Sequence, residues 1–200
     1  MRRKLLLPSL AVLLVLPLAA PASAATWEID RAHSSVGFTV RHLVTQVPGR
    51  FNDFDGAIVH DPENPAASSV ELTVDAASID TRNDRRDNHL RSEDFLAVGQ
   101  HPTLSFKSKR VAALGDDRLA VTGDLTIRGV TKEVTVPVEI VGTMGGKMGF
   151  ATEFTVDRLD YGVRWNRALD QGGAVLGDEV EIRLEIAADR VEPEESGAGG

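Results

Sequence analysis

The chain of 200 residues contains no cysteine. This absence excludes disulfide bonds, thiolate zinc sites, iron–sulfur clusters, a cysteine nucleophile and a lipid-modified N-terminal cysteine. Any metal ion would need His, Asp or Glu ligands. Aromatic residues are also scarce, with seven Phe, two Trp and one Tyr. Most of the interior must therefore be Val, Leu, Ile and Ala, and such medium-sized side chains are compatible with an internal cavity.

Positive charge is in deficit as well. The 22 Lys and Arg are outnumbered by 30 Asp and Glu, which gives a net charge of −8. A field of this sign repels polyanions, so nucleic acid is not an expected partner and simple adsorption to anionic membranes is disfavoured. The hydrophobic content of 42% is too high for a disordered chain and is typical of a soluble domain.

The longest apolar run, residues 5–20, follows the basic start Met1-Arg2-Arg3-Lys4. The run contains two prolines and is shorter than the roughly 20 apolar residues that cross a membrane. It leads to the small residues Ala22-Ser23-Ala24, which are typical of a cleavage site. This layout predicts a signal peptide over residues 1–24 and hence a periplasmic or secreted mature protein.

Apolar and polar residues alternate through most of the remaining chain, as in Val36, Phe38 and Val40. This period of two predicts strands with one buried face and one solvated face, as in antiparallel sheets. The predicted strands, the first with a break near Asp30–Ala32, span residues 26–41, 50–60, 68–76, 102–113, 118–128, 132–142, 148–157 and 178–188. Eight such strands can close into a barrel or stack as a sandwich. We expect one all-β domain over 25–190, followed by a disordered acidic and glycine-containing tail over 191–200.

The alternation stops in two places. Residues 81–98 are rich in charge, and Thr81 followed by Asp84 matches a capping box, so we predict a short helical insertion that covers one end of the sheet. Residues 157–177 form a long irregular segment. Loops of this length inside a domain are commonly functional or mobile, so the second segment is a candidate gate.

Motifs for catalysis or metal binding are not evident. The five histidines lack metal-ligand spacing, the stretch Asn52–Gly56 is out of register for an EF-hand loop, and no serine stands in a nucleophile elbow. The densest chemistry lies in Ser78–Ser92, whose charges favour an exposed, salt-bridged helix face. The alternative is that some of these side chains face a polar ligand head at a cavity mouth, the candidates being Arg85, Arg86, His89 and Arg91. An enzyme would use His89 with Asp87 or Asp84 as acid and base.

Separated motifs follow one another along residues 27–188. They are Asp30–Phe38, Val40–Leu43, Val47–Phe51, Phe54–Gly56, Ser78–Thr81, Arg86–Phe95, His101–Phe106, Val121–Lys132 and Gly177–Val180. With this series the chain resembles the YceI-like family of exported polyisoprenoid-binding proteins. The resemblance implies a lipocalin-like antiparallel barrel of eight strands, a helical segment near one end, an internal tunnel for a long apolar chain, and homodimers.

Given that fold, the period of two predicts which side chains line the tunnel. On the strands these are Val36, Phe38, Val40, Phe51, Leu72, Val74, Leu104, Phe106, Val121, Leu125, Ile127, Val134, Val136, Val138, Phe150 and Phe154. Candidate lid contacts are Leu90, Phe95 and Trp165. A bulge at Gly56 or Gly123 would turn the later part of its strand to the other face.

The expected function is therefore non-catalytic. The protein would bind and carry or sequester a polyprenol, a prenyl quinone or a similar apolar lipid, with this ligand in place of a cofactor and with no metal. Further expected partners are a membrane, contacted transiently for loading, and a second copy of the chain in a homodimer. Two alternatives stay open, an enzyme that acts on such a lipid and a structural or stress-response module whose barrel is filled by its own side chains.

Overall fold

A computed structural model describes residues 24–115, 117–168 and 174–192. Within these ranges the chain forms a closed antiparallel barrel with eight strand positions, so the predicted fold class is confirmed. Nearly all of the predicted signal peptide and the tail from residue 193 lie outside the described residues. Those two predictions are therefore not tested by the structure.

The eight positions are built from eleven strands in the described residues. Their bounds are β1 Ala25–Ile29, β2 Ser35–His42, β3 Thr45–Phe51, β4 Phe54–His60, β5 Ser69–Asp75, β6 Ile79–Asp80, β7 Thr103–Gly115, β8 Arg118–Ile127, β9 Val130–Met144, β10 Lys147–Asp157 and β11 Leu176–Arg190. The α-helix of the described chain, α1, spans Asp84–Arg91. Short 3₁₀ turns lie at Arg31–His33, Pro65–Ala67, Ala76–Ser78 and Arg158–Tyr161.

Three barrel positions are each occupied by two consecutive strands. In the first position, β1 and β2 both pair with β11. In the second, β4 pairs with β1 and β3 pairs with β2. In the third, β5 pairs with β4 and β6 pairs with β3. The ring continues through β7, β8, β9 and β10 and closes where β11 meets β1. The long strand β11 thus spans the break between β1 and β2.

Local hydrogen bonds hold the break between β1 and β2. The Asp30 carboxylate accepts a bond from the backbone N–H of Ala32, and the Ser34 hydroxyl both donates to the carbonyl of Ala187 and accepts from its N–H. The Ala187 carbonyl also accepts the backbone N–H of Asp30, so Ser34 replaces only the backbone acceptor for the Ala187 N–H. Hydrogen bonds from Lys147 and then His33 lower the pKa of the Asp30 carboxyl to about 2.

A bulge in β7 changes which residues face inward. Ser108 pairs with Gly123 but Arg110 pairs with Thr122, so Lys109 is an extra residue in β7. The register shift turns Val111 into the buried core. The bulge lies on the strand opposite Gly123, one of the two positions considered in the sequence, whereas the pairing of β4 with β5 runs through Gly56 without a shift.

Gly123 allows β8 to approach β7 closely beside the bulge. A Cβ atom there would overlap the carbonyl oxygen of Lys107 and the Cα of Ser108, and it would meet the ring of Phe106. Backbone atoms in a paired strand cannot move aside as a flexible side chain can. The glycine is therefore required by packing in the barrel wall.

We predict that Gly123→Ala lowers the free energy of unfolding by about 1–3 kcal/mol, the usual effect of overpacking a filled site. Urea unfolding followed by circular dichroism measures this change. Gly99→Ala is the matched control because a Cβ at Gly99 meets no atom within 4 Å. Equal stability of Gly123→Ala and the unsubstituted protein would contradict the packing account.

Candidate functional site

A cavity of about 720 Å³ lies inside the barrel. Its volume is in the range of roughly 300–1,000 Å³ that is common for ligand pockets. The wall consists mainly of aliphatic and phenylalanine side chains from the inner faces of the strands. Polar side chains reach it near α1 and near the opposite end of the barrel. The interior can therefore accommodate a long apolar molecule along most of its length.

Every side chain predicted to line the tunnel does line this cavity, except Val134. The same holds for the three lid candidates, Leu90, Phe95 and Trp165. The period of two thus located the inner face of the barrel. The role of these residues in ligand binding stays a prediction.

Val134 was predicted to line the wall and does not. It faces Gly123 across the β8–β9 pair and packs against two buried clusters, one around Val121 and the other around Leu125. Phe106 and Phe154 pack against the same two clusters and line the cavity themselves. We attribute the exclusion of Val134 to these larger rings, which take up the space above it.

Several wall residues were absent from the predicted set. On β11 they include Val180, Ile182, Leu184 and Ile186. On β4, β5, β7 and β8 they include Ile58, Val70, Val111 and Leu119, respectively. For β11 the alternation in the sequence was sufficient to find them. For Val111 it was not, because the bulge at Lys109 reverses the period.

A buried network of hydrogen bonds fixes the start of α1. Asp87, only 5% exposed, accepts hydrogen bonds from the backbone N–H and the hydroxyl of Thr81. Arg86 donates to the hydroxyl and the carbonyl of Thr81. The N-cap is Asn83, whose side chain accepts from the N–H of Arg86, so the predicted capping box of Thr81 with Asp84 is wrong.

Three of the four candidate head-group residues reach the cavity. Arg85, Arg86 and His89 line it, whereas Arg91 does not. Arg91 instead donates to the carbonyl oxygens of Ala77 and Ile79. The placement of Arg91 was wrong because the break between β5 and β6 leaves these carbonyls in need of a donor, and the guanidinium satisfies them.

An aromatic cluster packs beside α1. The rings of His89, Phe95 and Trp165 lie within 5.0–5.2 Å of one another, measured between centroids. His89 Nε2 is 2.9 Å from a carboxylate oxygen of Asp94. Because His89 pairs with Asp94 and Asp87 is bonded to Thr81, the acid–base pair of His89 with Asp87 is not formed.

The described part of the candidate gate is anchored by Arg158. This side chain is 5% exposed and donates to the carbonyls of Gly177, Val163 and Trp165 and to the Asp178 carboxylate. These bonds position Trp165 at the cavity. Residues 169–173 of the segment lie outside the described residues, and its role as a gate stays a prediction.

A second polar group lies at the end of the barrel opposite α1. His60 lines the cavity, is 6% exposed, and contacts the edge of the Phe150 ring at a centroid distance of 6.4 Å. Burial lowers the pKa of His60 below its usual value of 6.5, although the charge of Asp61 opposes this shift. The imidazole is therefore neutral at neutral pH.

Across the described ranges, no group of three or more His, Asp and Glu side chains is arranged to hold a metal ion. Among the same residues, no helix has both the length and the apolar character needed to cross a bilayer.

Comparison with known proteins identifies the family of this chain. A family model described as YceI-like domain matches residues 27–188. The chain belongs to the YceI-like family. UPF0312 proteins of Pseudomonas aeruginosa and Vibrio cholerae are 40% identical over 176 residues and 38% identical over 170 residues. These matches cover 84% and 82% of this chain, and 88% and 90% of the two relatives.

Solved structures of other proteins share this fold. BcnA of Burkholderia cenocepacia superposes with a TM-score of 0.74 at 27% identity, over 80% of this chain and 98% of BcnA. A mutant YceI protein of Campylobacter jejuni with a monobromobimane guest gives 0.67 at 30% identity, over 82% and 97%. A polyisoprenoid binding domain from Saccharophagus degradans gives 0.67 at 14% identity, over 84% and 100%, a likeness of fold alone.

The depressed pKa of His60 predicts an acid-sensitive fold. The unfolded chain binds a proton at His60 more readily than the folded chain does, so stability is retained above pH 6.5 and falls as the pH drops below it. His60→Phe removes this proton uptake, and we expect a smaller loss of stability between pH 7.5 and pH 5. Urea midpoints at the two pH values test this, and an unchanged loss in His60→Phe would contradict it.

Proposed function

We propose that this protein binds a long-chain isoprenoid, such as a polyprenol or a prenyl quinone, in the barrel cavity. The observation that carries the proposal is the continuous apolar wall around about 720 Å³ of space. Membership of the YceI-like family and the fold shared with a polyisoprenoid binding domain support it. The protein would carry or sequester this lipid.

The driving force would be removal of the chain from water. Each buried methylene group contributes about 0.8 kcal/mol, and a long prenyl chain has many of them. An aliphatic wall offers few directional contacts along the middle of the cavity, so the protein would tolerate differences in the chain. Selectivity would then come from polar groups at the two ends.

The two alternatives are less well supported. The space inside the barrel argues against a module filled by its own side chains. An enzyme that uses His89 with Asp87 or Asp84 is disfavoured because neither carboxylate lines the cavity and Asp87 is engaged in holding α1. We therefore propose a binding protein rather than an enzyme.

We further propose that basic residues of α1 face a charged ligand head. Arg85 and Arg86 line the cavity together with His89. An anionic head, such as a phosphate ester, would find the guanidinium group of Arg85 there, together with that of Arg86, which also donates to Thr81. The lipid chain would extend from this position into the barrel.

Substitution of wall residues by aspartate tests the binding site. We expect Phe38→Asp and Val136→Asp to abolish binding of a prenyl quinone, because a carboxylate in the apolar cavity would have to be desolvated. Binding is measured by co-purification of added quinone and by native mass spectrometry, with circular dichroism to verify folding.

The controls are Thr73→Asp and Glu71→Gln, which alter exposed residues of β5 that point away from the cavity. Both controls should bind as the unsubstituted protein does. Equal loss of binding in wall variants and controls would refute the assignment of the cavity as the binding site.

The β2–β3 hairpin is a candidate for contact with a membrane during loading. Its tip carries Leu43 and Val44, which are 46% and 95% exposed, and residues 41–51 contain Arg41 and Arg50 but no acidic residue. The hairpin leads directly from His42 and Val47, which line the cavity. The expected homodimer stays a prediction from the family.

Val44→Asp should slow the transfer of a prenyl quinone from vesicles of phosphatidylcholine and phosphatidylglycerol roughly tenfold, since insertion of a Val side chain contributes at least about 1.5 kcal/mol. The affinity at equilibrium should stay unchanged. Met144→Asp is the control, because Met144 is 84% exposed on the β9–β10 hairpin at the opposite end of the barrel. Transfer at an unchanged rate in Val44→Asp would exclude this contact.

The proposed location outside the cytoplasm depends on the signal peptide predicted over residues 1–24. Its layout of a basic start, an apolar run and small residues supports export. A carrier in that compartment would move apolar molecules through water between membranes.

A further inference from the structure

The end of the barrel opposite α1 contains two buried polar side chains. β4 ends at His60, which pairs with Ala25 at the start of β1. Trp27 lies two residues further along β1 and shares the inward face with Ala25. Trp27 packs in a cluster with Phe150, and Phe150 in turn contacts His60.

Only one of these two side chains, His60, lines the cavity. The indole Nε1 of Trp27 is buried without an acceptor, and the Trp27 residue is only 5% exposed. His60 does line the cavity, and its ring nitrogens are not among the fully enclosed unpaired atoms of the described residues. An imidazole that faces an apolar cavity offers its ring nitrogens to a molecule that fills the space, so His60 is positioned to hydrogen-bond a polar group of that molecule.

The chemistry of this end differs from that beside α1. A neutral imidazole, which burial favours at His60, offers one donor and one acceptor. Asp61 and Glu63 follow immediately in the chain. These groups suit an uncharged oxygen rather than a phosphate, whereas Arg85 and Arg86 suit an anion.

We propose that His60 is a specificity-determining residue that hydrogen-bonds a neutral hydroxyl or carbonyl group at the end of a bound lipid. The subsite rests on the proposed function, because it uses the same cavity. A lipid with an alcohol or quinone head would enter with the head directed away from α1. A lipid with a phosphate head would be held in the reverse direction.

The test compares two ligands that differ by one hydroxyl, phytanol and phytane, in displacement of bound N-phenyl-1-naphthylamine. The unsubstituted protein should bind phytanol more tightly than phytane. His60→Phe keeps a ring against Phe150 but removes the imidazole, and it should weaken phytanol binding about tenfold, as expected for one hydrogen bond. Phytane binding should not change.

The control is His33→Phe, because His33 is an exposed residue outside the cavity. This variant should retain the preference for phytanol. As a second measurement, the ¹⁵N chemical shifts of the His60 ring should change when phytanol is added to the unsubstituted protein and not when phytane is added.

The outcomes separate the two proposals. Equal weakening of phytanol and phytane binding in His60→Phe would show a structural role and overturn the subsite. Binding of both ligands with no preference for phytanol would overturn the subsite and leave the carrier function in place. If the unsubstituted protein binds neither ligand, both the subsite and the isoprenoid-binding proposal fail.

Discussion

Closure of the sheet by β11 is the interaction on which the structure depends. This strand of 15 residues pairs with β10 along one edge, and with β2 and then β1 along the other. It therefore spans the break at Asp30–Ser34, which would otherwise open the wall. Closure satisfies the backbone groups of the sheet edges and fixes one face of every strand toward the interior.

The interior is then larger than its side chains can fill. The wall is made mainly of Val, Leu and Ile with a few Phe rings, and the cavity remains between them. Large rings are accommodated where a glycine faces them, as with Phe106 above Gly123 and Phe38 above Gly49. The hydrogen-bonded wall holds this space open without support from the centre, and an apolar ligand would supply the missing contacts.

Local patterns were sufficient to predict most of the strands and most of the cavity wall, because successive side chains of a strand alternate between faces. They missed β6 and the part of β3 that precedes Arg50. Non-local contacts decided the exceptions. The bulge at Lys109 depends on the register of β7 against Gly123, and it placed Val111 inside against its parity. Arg91 was directed away from the cavity by carbonyls that became free only where β5 and β6 separate. In β4 the period of two places His60 on the same face as Phe54 and Ile58, although His60 was absent from the predicted wall.

The cavity is chemically asymmetric, and in our proposal this asymmetry would give the carrier its selectivity. Two arginines of α1 lie at one end, the imidazole of His60 lies at the other, and mainly aliphatic residues line the length between them. The middle would bind any long apolar chain through the hydrophobic effect. The ends would sort ligands by the charge of their heads.

The most direct test of the account is mass spectrometry of an organic extract of the protein purified from its own host, together with a native mass of the same sample. The account predicts a long-chain isoprenoid in stoichiometric amount, and a native mass that exceeds the polypeptide mass by that of one lipid. A protein that yields no lipid and takes up no added prenol or prenyl quinone would contradict it.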